Sequence, residues 1–253
     1  MPKSGILFVF VALLASASVG LAQDGVGARM SLDRIASVRT GAYTAGDRIK
    51  FSLTRDAAHY LLRFENEPEV YVVYAGHSSL GGQVLKYDSG ATAVKVAGWG
   101  SITLYTDAEP SGLPAEWIGD SMTPVIAPIS LPAMQNAADD EAEHLSYSRS
   151  VRLAFVAEWT ALASDPELRL LAFDAMQNAA RGIDRFTASA AARSAFVAKV
   201  DSVRIMTGAR PTLELHGKVL NVTFNPTQRF AGRASSRGIA RALGQLLAVP
   251  TAN

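Results

Sequence analysis

A histidine and two serines follow the most strand-like run of the chain, in the sequence Gly76-His77-Ser78-Ser79-Leu80-Gly81-Gly82. This run resembles the Gly-x-Ser-x-Gly elbow, which exposes a nucleophilic serine between a strand and a helix. The elbow requires glycine two residues after the serine, and Leu80 occupies that position. Residues 83–87 then alternate like a strand instead of starting a helix. The pattern predicts a hairpin loop, and a hydrolase that uses His77 and Ser78 remains an alternative.

Carboxylates occur in two further patterns that could support chemistry. Glu65, Glu67 and Glu69 alternate along a strand and turn, and a pair of carboxylates can hydrolyse glycosides when their separation in space is right. Such alternation is more typical of a solvent-facing strand. Glu141 and His144 are separated by one helical turn, as in di-iron bundles, but those bundles need a second Glu-x-x-His step. We therefore predict no catalytic residue, no metal site and no cofactor.

The distribution of charge is more informative than any of these motifs. Residues 107–174 hold twelve acidic side chains against three arginines, whereas residues 193–253 hold nine basic side chains against two acidic ones. Within the basic part, arginines recur every four residues, a spacing that would place neighbours on one helix face. This face could pair internally with the acidic helices, or it could bind an anionic envelope component or an acidic protein. The candidate residues are Arg229, Arg233, Arg237 and Arg241.

Turn residues and apolar periodicity divide the chain into two structured parts. Residues 41–107 alternate like short strands between turns at about ten-residue spacing, which predicts an antiparallel β domain, either a sandwich or barrel-like. Residues 108–132 contain five prolines and predict a linker without a helix or central strand. Residues 133–253 predict a helical domain with a small antiparallel β-sheet, so the expected fold class is α+β.

Several boundaries within the second part can be placed from capping residues. Asp165-Pro166-Glu167 is typical of a helix start, and Ser189 and Ser235 or Ser236 could cap two later helices. The spacing of Val151, Phe155, Trp159 and Leu162 predicts that a helix starting near Ala133 continues through residue 162. Strands are expected at residues 203–206, 212–216 and 219–224, the last two joined by a turn.

The first 22 residues predict export. An apolar run, residues 5–21, follows Lys3 and ends on small residues, which is typical of a signal peptide cleaved after Ala22. The absence of cysteine excludes disulfides and thiolate chemistry, and favours a bacterial periplasm over a eukaryotic secretory route. Residues 23–40 predict a flexible lead-in. After cleavage we expect no transmembrane segment, and we expect no nucleic-acid partner because basic and acidic residues then balance. Oligomeric state is left open.

Two stretches carry a family resemblance: residues 63–70 with the later Gly98-Trp99-Gly100-Ser101-Ile102-Thr103-Leu104-Tyr105-Thr106, and residues 175–186, which begin Ala-Met-Gln-Asn-Ala-Ala. The chain resembles an uncharacterised family of exported alphaproteobacterial proteins described as a domain of unknown function. The resemblance implies an envelope location and no activity, ligand or catalytic residue.

Taken together, the scattered polar chemistry and dense apolar patterning predict a non-catalytic periplasmic binding or scaffolding module. The alternative is an envelope hydrolase that acts on polysaccharide or ester substrates. A third possibility is a chaperone or inhibitor of another exported protein, which an exposed apolar patch would favour.

Overall fold

The computed structural model of the chain describes residues 38–78 and 81–249. The predicted signal peptide, residues 1–22, lies outside the described residues, as do residues 23–37 of the predicted lead-in. Within the described ranges, no helix has both the length and the apolar character needed to cross a bilayer.

The N-terminal part is a closed antiparallel barrel in which each strand pairs with the next along the chain. The last strand pairs with the first, with Tyr43 opposite Trp117, so the sheet has no free edge. The predicted antiparallel β domain is confirmed, in its barrel form. Its strands are β1 (Gly41–Ala45), β2 (Ile49–Asp56), β3 (His59–Phe64), β4 (Val70–His77), β5 (Gln83–Tyr87), β6 (Thr92–Val96), β7 (Ile102–Leu104) and β8 (Leu113–Gly119).

Side chains fill the interior of the barrel. The rings of Tyr43 and Phe51 stack with centroids 5.1 Å apart, and Phe64 lies 6.4 Å beyond Phe51. Leu53 and Leu85 are fully buried beside them. Eight strands enclose a space just wide enough for such side chains. The barrel interior is therefore a packed hydrophobic core.

Strand β8 lies within residues 108–132 and pairs with both β7 and β1, so the prediction that this stretch holds no central strand is wrong. Pro114 pairs with Thr103 of β7, whereas the ladder with β1 begins only at Ala115. Pro114 thus has a strand neighbour on one side only, the situation in which a missing backbone N–H is tolerated. Residues 120–130, after the strand, have no regular secondary structure.

The second part combines five α-helices with a four-stranded sheet among the described residues. The helices are α1 (Leu131–Arg149), α2 (Trp159–Ser164), α3 (Pro166–Phe186), α4 (Ala190–Lys199) and α5 (Ser236–Leu246), with a 3₁₀ segment at Pro226–Gly232. The strands are β9 (Ala154–Ala157), β10 (Ser202–Thr207), β11 (Thr212–His216) and β12 (Val219–Phe224). The α+β fold class is confirmed.

The three predicted caps are present. Asp165, Ser189 and Ser235 each accept a backbone N–H from three residues ahead, at 3.0, 3.2 and 3.1 Å. These bonds satisfy N–H groups that the first helical turn leaves without a partner. The local signals therefore placed the starts of α3, α4 and α5 correctly.

The predicted continuation of the first helix through residue 162 is wrong. Helix α1 ends at Arg149, because Ser150 adopts a left-handed conformation with φ 56°. Phe155 instead lies in β9, which pairs in parallel with β10. The helical spacing of the apolar residues is overridden here by strand pairing with a segment some fifty residues further along the chain.

The small sheet is mixed, whereas we predicted an antiparallel one. The hairpin of β11 and β12 is antiparallel as expected, with Gly217 at φ 62° in its turn. Strand β12 then inserts beside β10 and runs parallel to it, giving the order β11-β12-β10-β9. The direction follows from the hairpin, because a chain that reverses twice returns to its original direction.

Candidate functional site

One end of the barrel carries a carboxylate at or near each of three neighbouring turns. In a barrel of consecutive antiparallel strands, every second turn lies at the same end, so the turns after β3, β5 and β7 are neighbours. Glu69 immediately precedes β4, Asp88 follows β5, and Asp107 lies just after β7. We call this the acidic end of the barrel, defined by Glu69, Asp88 and Asp107.

Two of these carboxylates hold the N-terminus of α5. Asp88 accepts hydrogen bonds from the backbone N–H and the hydroxyl of Ser235, at 2.7 and 2.5 Å. Glu69 accepts the equivalent pair from Ser236, at 2.8 and 2.6 Å, and is only 2% exposed. Negative charge at a helix N-terminus is stabilised by the helix dipole and by unpaired N–H groups. The acidic end thereby attaches the helical part to the barrel.

The four predicted binding arginines do not share a helix face, because α5 begins only at Ser236. Arg229 and Arg233 precede the helix, and Arg233 is buried against Asp174 of α3. Its guanidinium also donates to the carbonyl oxygen of Val70 at 2.8 Å. Its position makes Arg233 a link between α3 and strand β4 of the barrel.

The two arginines within α5 also contact the acidic end of the barrel. Arg237 donates to Asp107 at 2.6 Å, and its guanidinium carbon lies 4.5 Å from the ring centre of Tyr87. Arg241 donates to the carbonyl oxygen of Ser89. Arg229 is exposed and has no ion pair among the described residues. Arg233 and Arg237 are thus ion-paired within the chain, whereas Arg229 and Arg241 are exposed and have no ion pair among the described residues.

His77 and Ser78 lie at the opposite end of the barrel from these contacts. His77 is the exposed last residue of β4, and the backbone N–H of Ser78 closes the hairpin on the carbonyl of Gly82 at 3.0 Å. Strand β5 follows this hairpin, which agrees with the predicted loop and not with a nucleophile elbow. Among the described residues, neither side chain bonds a carboxylate.

A cleft of about 450 Å³ opens where the turn before β4 meets helices α1, α3 and α5. Two motifs singled out from the sequence reach it: Glu67 with Glu69, and Glu141 with His144. Glu65 does not, because it pairs with Lys50 at 3.5 Å on the barrel wall. The lining residues are Glu67, Pro68, Glu69, Tyr71, Glu141, His144, Ala180, Arg181, Asp184, Arg185, Ala188 and Ser236.

Tyr71 connects the barrel core to the cleft. Its hydroxyl donates to Glu67 at 3.1 Å. Burial and the neighbouring Glu69 and Glu67 carboxylates raise the pKa of the Tyr71 phenol well above its usual value. The phenol therefore stays protonated at neutral pH and acts as a hydrogen-bond donor to the turn that forms one wall of the cleft.

Glu141 and His144 of α1 line the cleft, but they do not form part of a metal-binding group among the described residues. In residues 38–78 and 81–249, no three His, Asp or Glu side chains are placed together to hold an ion. Asp184, across the cleft, accepts two hydrogen bonds from Arg149 at 2.7 and 3.1 Å. This two-bond ion pair joins the end of α1 to α3 beside the cleft.

Sequence reasoning missed Arg181, Asp184 and Arg185 of α3 as cleft residues. They lie more than a hundred residues from the barrel turn that faces them, so no local spacing could signal the site. Sequence analysis placed the start of α3 from its cap, Asp165, and gave no signal that these three charged residues face another element.

A family model with the description "Domain of unknown function (DUF4908)" matches residues 24–243. The match includes the whole barrel, all of the second sheet and every residue that lines the cleft. Neither the curated proteins nor the solved structures contain a significant match to the chain. The family expected from the sequence is confirmed, while the alphaproteobacterial source remains a prediction.

Proposed function

We propose that this chain, which belongs to the DUF4908 family, is an exported, non-catalytic binding module of the cell envelope whose ligand site is the cleft between the barrel and the helices. The observation that supports the site is its composition: charged groups from a barrel turn and from helices α1 and α3 converge on one concavity. Its volume of about 450 Å³ lies in the range of small-molecule sites.

Export is supported by the leader-like residues 1–22 alone. The periplasm is the expected location, because the chain lacks cysteine. Intact-mass measurement of the native protein tests this part of the proposal. A chain that starts at Gln23 supports it, and a chain that retains Met1 or Pro2 contradicts it.

Blocking the cleft tests the binding part. Ala188 is exposed and lines the cleft, so Ala188→Trp should fill the cleft without disturbing the core. Ala191 is equally exposed on the first turn of α4 but does not line the cleft, and Ala191→Trp is the matched control. Native mass spectrometry of protein purified from its envelope should show a small molecule on the wild type and on Ala191→Trp, but not on Ala188→Trp. A bare wild type, or a ligand retained by Ala188→Trp, contradicts the proposal.

An envelope hydrolase is the second candidate, and one observation favours it. Glu67, Glu141 and His144 line the same cleft, which supplies carboxylates and an imidazole for acid–base chemistry. This candidate predicts that the protein cleaves a polysaccharide or ester extracted from the envelope, and that Glu141→Gln abolishes cleavage. Ligand returned unchanged after prolonged incubation favours the binding module.

A further inference from the structure

Half of the charged side chains that line the cleft already have partners within the fold. Each partner either neutralises the charge or is itself at a helix N-terminus, so these charged side chains stabilise the fold. Glu69 accepts from Ser236, Asp184 accepts from Arg149, and Arg185 donates to Asp107.

Arg181 is different, because its partners leave its charge uncompensated. Its guanidinium donates to the side-chain oxygens of Gln177 at 3.0 Å and Asn178 at 3.1 Å, both neutral amides. Asn178 is fully buried and is itself fixed by a bond to the carbonyl of Ala234 at 3.1 Å. Among the described residues, no carboxylate lies within ion-pair distance of Arg181. The group is held in position, while three of its five N–H donors stay available.

Glu67 and Glu141 complement Arg181 with uncompensated negative charge. The hydrogen bond that Glu67 accepts comes from the neutral phenol of Tyr71. Glu141 is half-buried on α1, and neither carboxylate has an ion pair in the part of the chain that the structure describes. One concavity therefore presents a fixed cation and two carboxylates, and none of the three has an ion pair among residues 38–78 and 81–249.

From this charge arrangement we infer that the cleft binds a zwitterionic ligand, a short peptide whose free carboxylate pairs with Arg181 and whose free ammonium pairs with Glu67 and Glu141. The inference rests on the proposed function of the cleft as a ligand site. Guanidinium and carboxylate form strong charge-assisted hydrogen bonds, and an ammonium offers three donors to oxygen acceptors. A ligand with only one charge would leave the opposite group of the cleft without a partner.

Calorimetric titration with trialanine and its two blocked forms tests the ligand class. N-acetyltrialanine lacks the ammonium, and trialanine amide lacks the carboxylate, while the backbone stays the same. We expect trialanine to bind, and each blocked form to bind at least about tenfold more weakly because a charged hydrogen-bonding partner is lost. Equal affinity for all three peptides would overturn the inference.

Two variants assign each end of the ligand to its side of the cleft. Arg181→Gln should bind trialanine and trialanine amide alike, because the group that distinguishes a carboxylate from an amide is gone. Glu141→Gln should reduce the preference for trialanine over N-acetyltrialanine and leave the carboxylate preference unchanged. The exposed Arg152, which does not line the cleft, provides the control Arg152→Gln, which should behave as the wild type. A loss of both preferences together in either variant would contradict this orientation.

Failure of this inference can be separated from failure of the proposed function. If none of the three peptides binds, but the native protein carries a small molecule that Ala188→Trp loses, the cleft is a ligand site for another class of molecule. If Ala188→Trp keeps its ligand, the site itself is wrong, and both proposals fail.

Discussion

Arg229 has a backbone conformation that side chains rarely adopt, with φ 46° and ψ −123°. The residue is exposed, whereas the next residue, Phe230, is buried against Leu61, Val70 and Val72 on the outer wall of the barrel. The strained turn thus directs Phe230 onto the barrel. Strain at a non-glycine residue in such a region costs about 1 to 3 kcal/mol.

We therefore predict that Arg229→Gly raises the free energy of unfolding by about 1 kcal/mol, because glycine adopts this conformation without strain. Urea denaturation monitored by circular dichroism measures the change. Arg210→Gly is the control, since Arg210 is exposed and has no positive φ. Glycine there should destabilise the protein slightly through unfolded-chain entropy. A loss of stability in Arg229→Gly would contradict the assignment of strain.

Tyr87 provides a second prediction at this scale. Burial raises the pKa of its phenol to about 12, although the Arg237 guanidinium acts in the opposite direction. Because the folded pKa lies above the unfolded value of about 10, the stabilisation is complete below about pH 10 and is lost as pH rises toward 12. Tyr87→Phe should remove one tyrosinate from the absorbance titration near pH 12 and reduce this alkaline loss of stability. Its hydroxyl has no partner among the described residues, so phenylalanine should fit.

At the scale of elements, the attachment of α5 depends on the buried Glu69 carboxylate. In the wild type, the two carboxylate oxygens of Glu69 accept hydrogen bonds from the backbone N–H and the hydroxyl of Ser236. Glu69→Gln replaces one of these oxygens by an NH₂ group, which cannot accept. The substitution also removes negative charge from the helix N-terminus. We predict a loss of about 1 to 3 kcal/mol in unfolding free energy. Glu65→Gln, which affects only an exposed pair with Lys50, should cost about 1 kcal/mol or less. Similar losses in both variants, measured by urea denaturation, would contradict the capping role.

Local signals placed most elements but not their partners. The caps Asp165, Ser189 and Ser235 identified three helix starts, since a cap is a contact over three residues and is visible in sequence. Strand β9 was assigned to a helix, because its apolar spacing fits both periods and only pairing with β10 decides between them. Strand β8 was not predicted because it contains Pro114. The structure shows that Pro114 pairs only with β7, since pairing with β1 begins at Ala115.

At the scale of the whole molecule, Asp107 joins the barrel to both α3 and α5. It accepts hydrogen bonds from Arg185 and Arg237. Burial alone would raise the pKa of the Asp107 carboxyl, but the two guanidinium groups hold it below its usual value. A depressed carboxyl pKa contributes stability that is present above the unfolded value of about 4 and is lost as pH falls through the folded value.

We predict that Asp107→Asn is less stable than the wild type at pH 7 by about 1 to 2 kcal/mol, since the partly exposed Asp107 carboxylate loses its ion pairs with Arg185 and Arg237. The difference should shrink below about pH 4 and vanish once Asp107 is protonated in the folded wild type. Unfolding free energies of both proteins across this range provide the measurement. A constant difference from pH 7 to pH 2 would show that the carboxylate charge does not act in this way.

The amino-acid sequence by itself determined the α+β class, the strand-rich first part, the helix caps and the family, because these depend on periodicities and contacts over a few residues. Only the tertiary structure decided that the barrel closes, that Arg233 and Arg237 are ion-paired internally, and that Glu67, Glu141 and Arg181 share one cleft. Each of these facts joins residues that are far apart in the chain. Charge and residue type are local properties, whereas the partner that neutralises a charge, or leaves it open to a ligand, is set by how the chain folds back on itself.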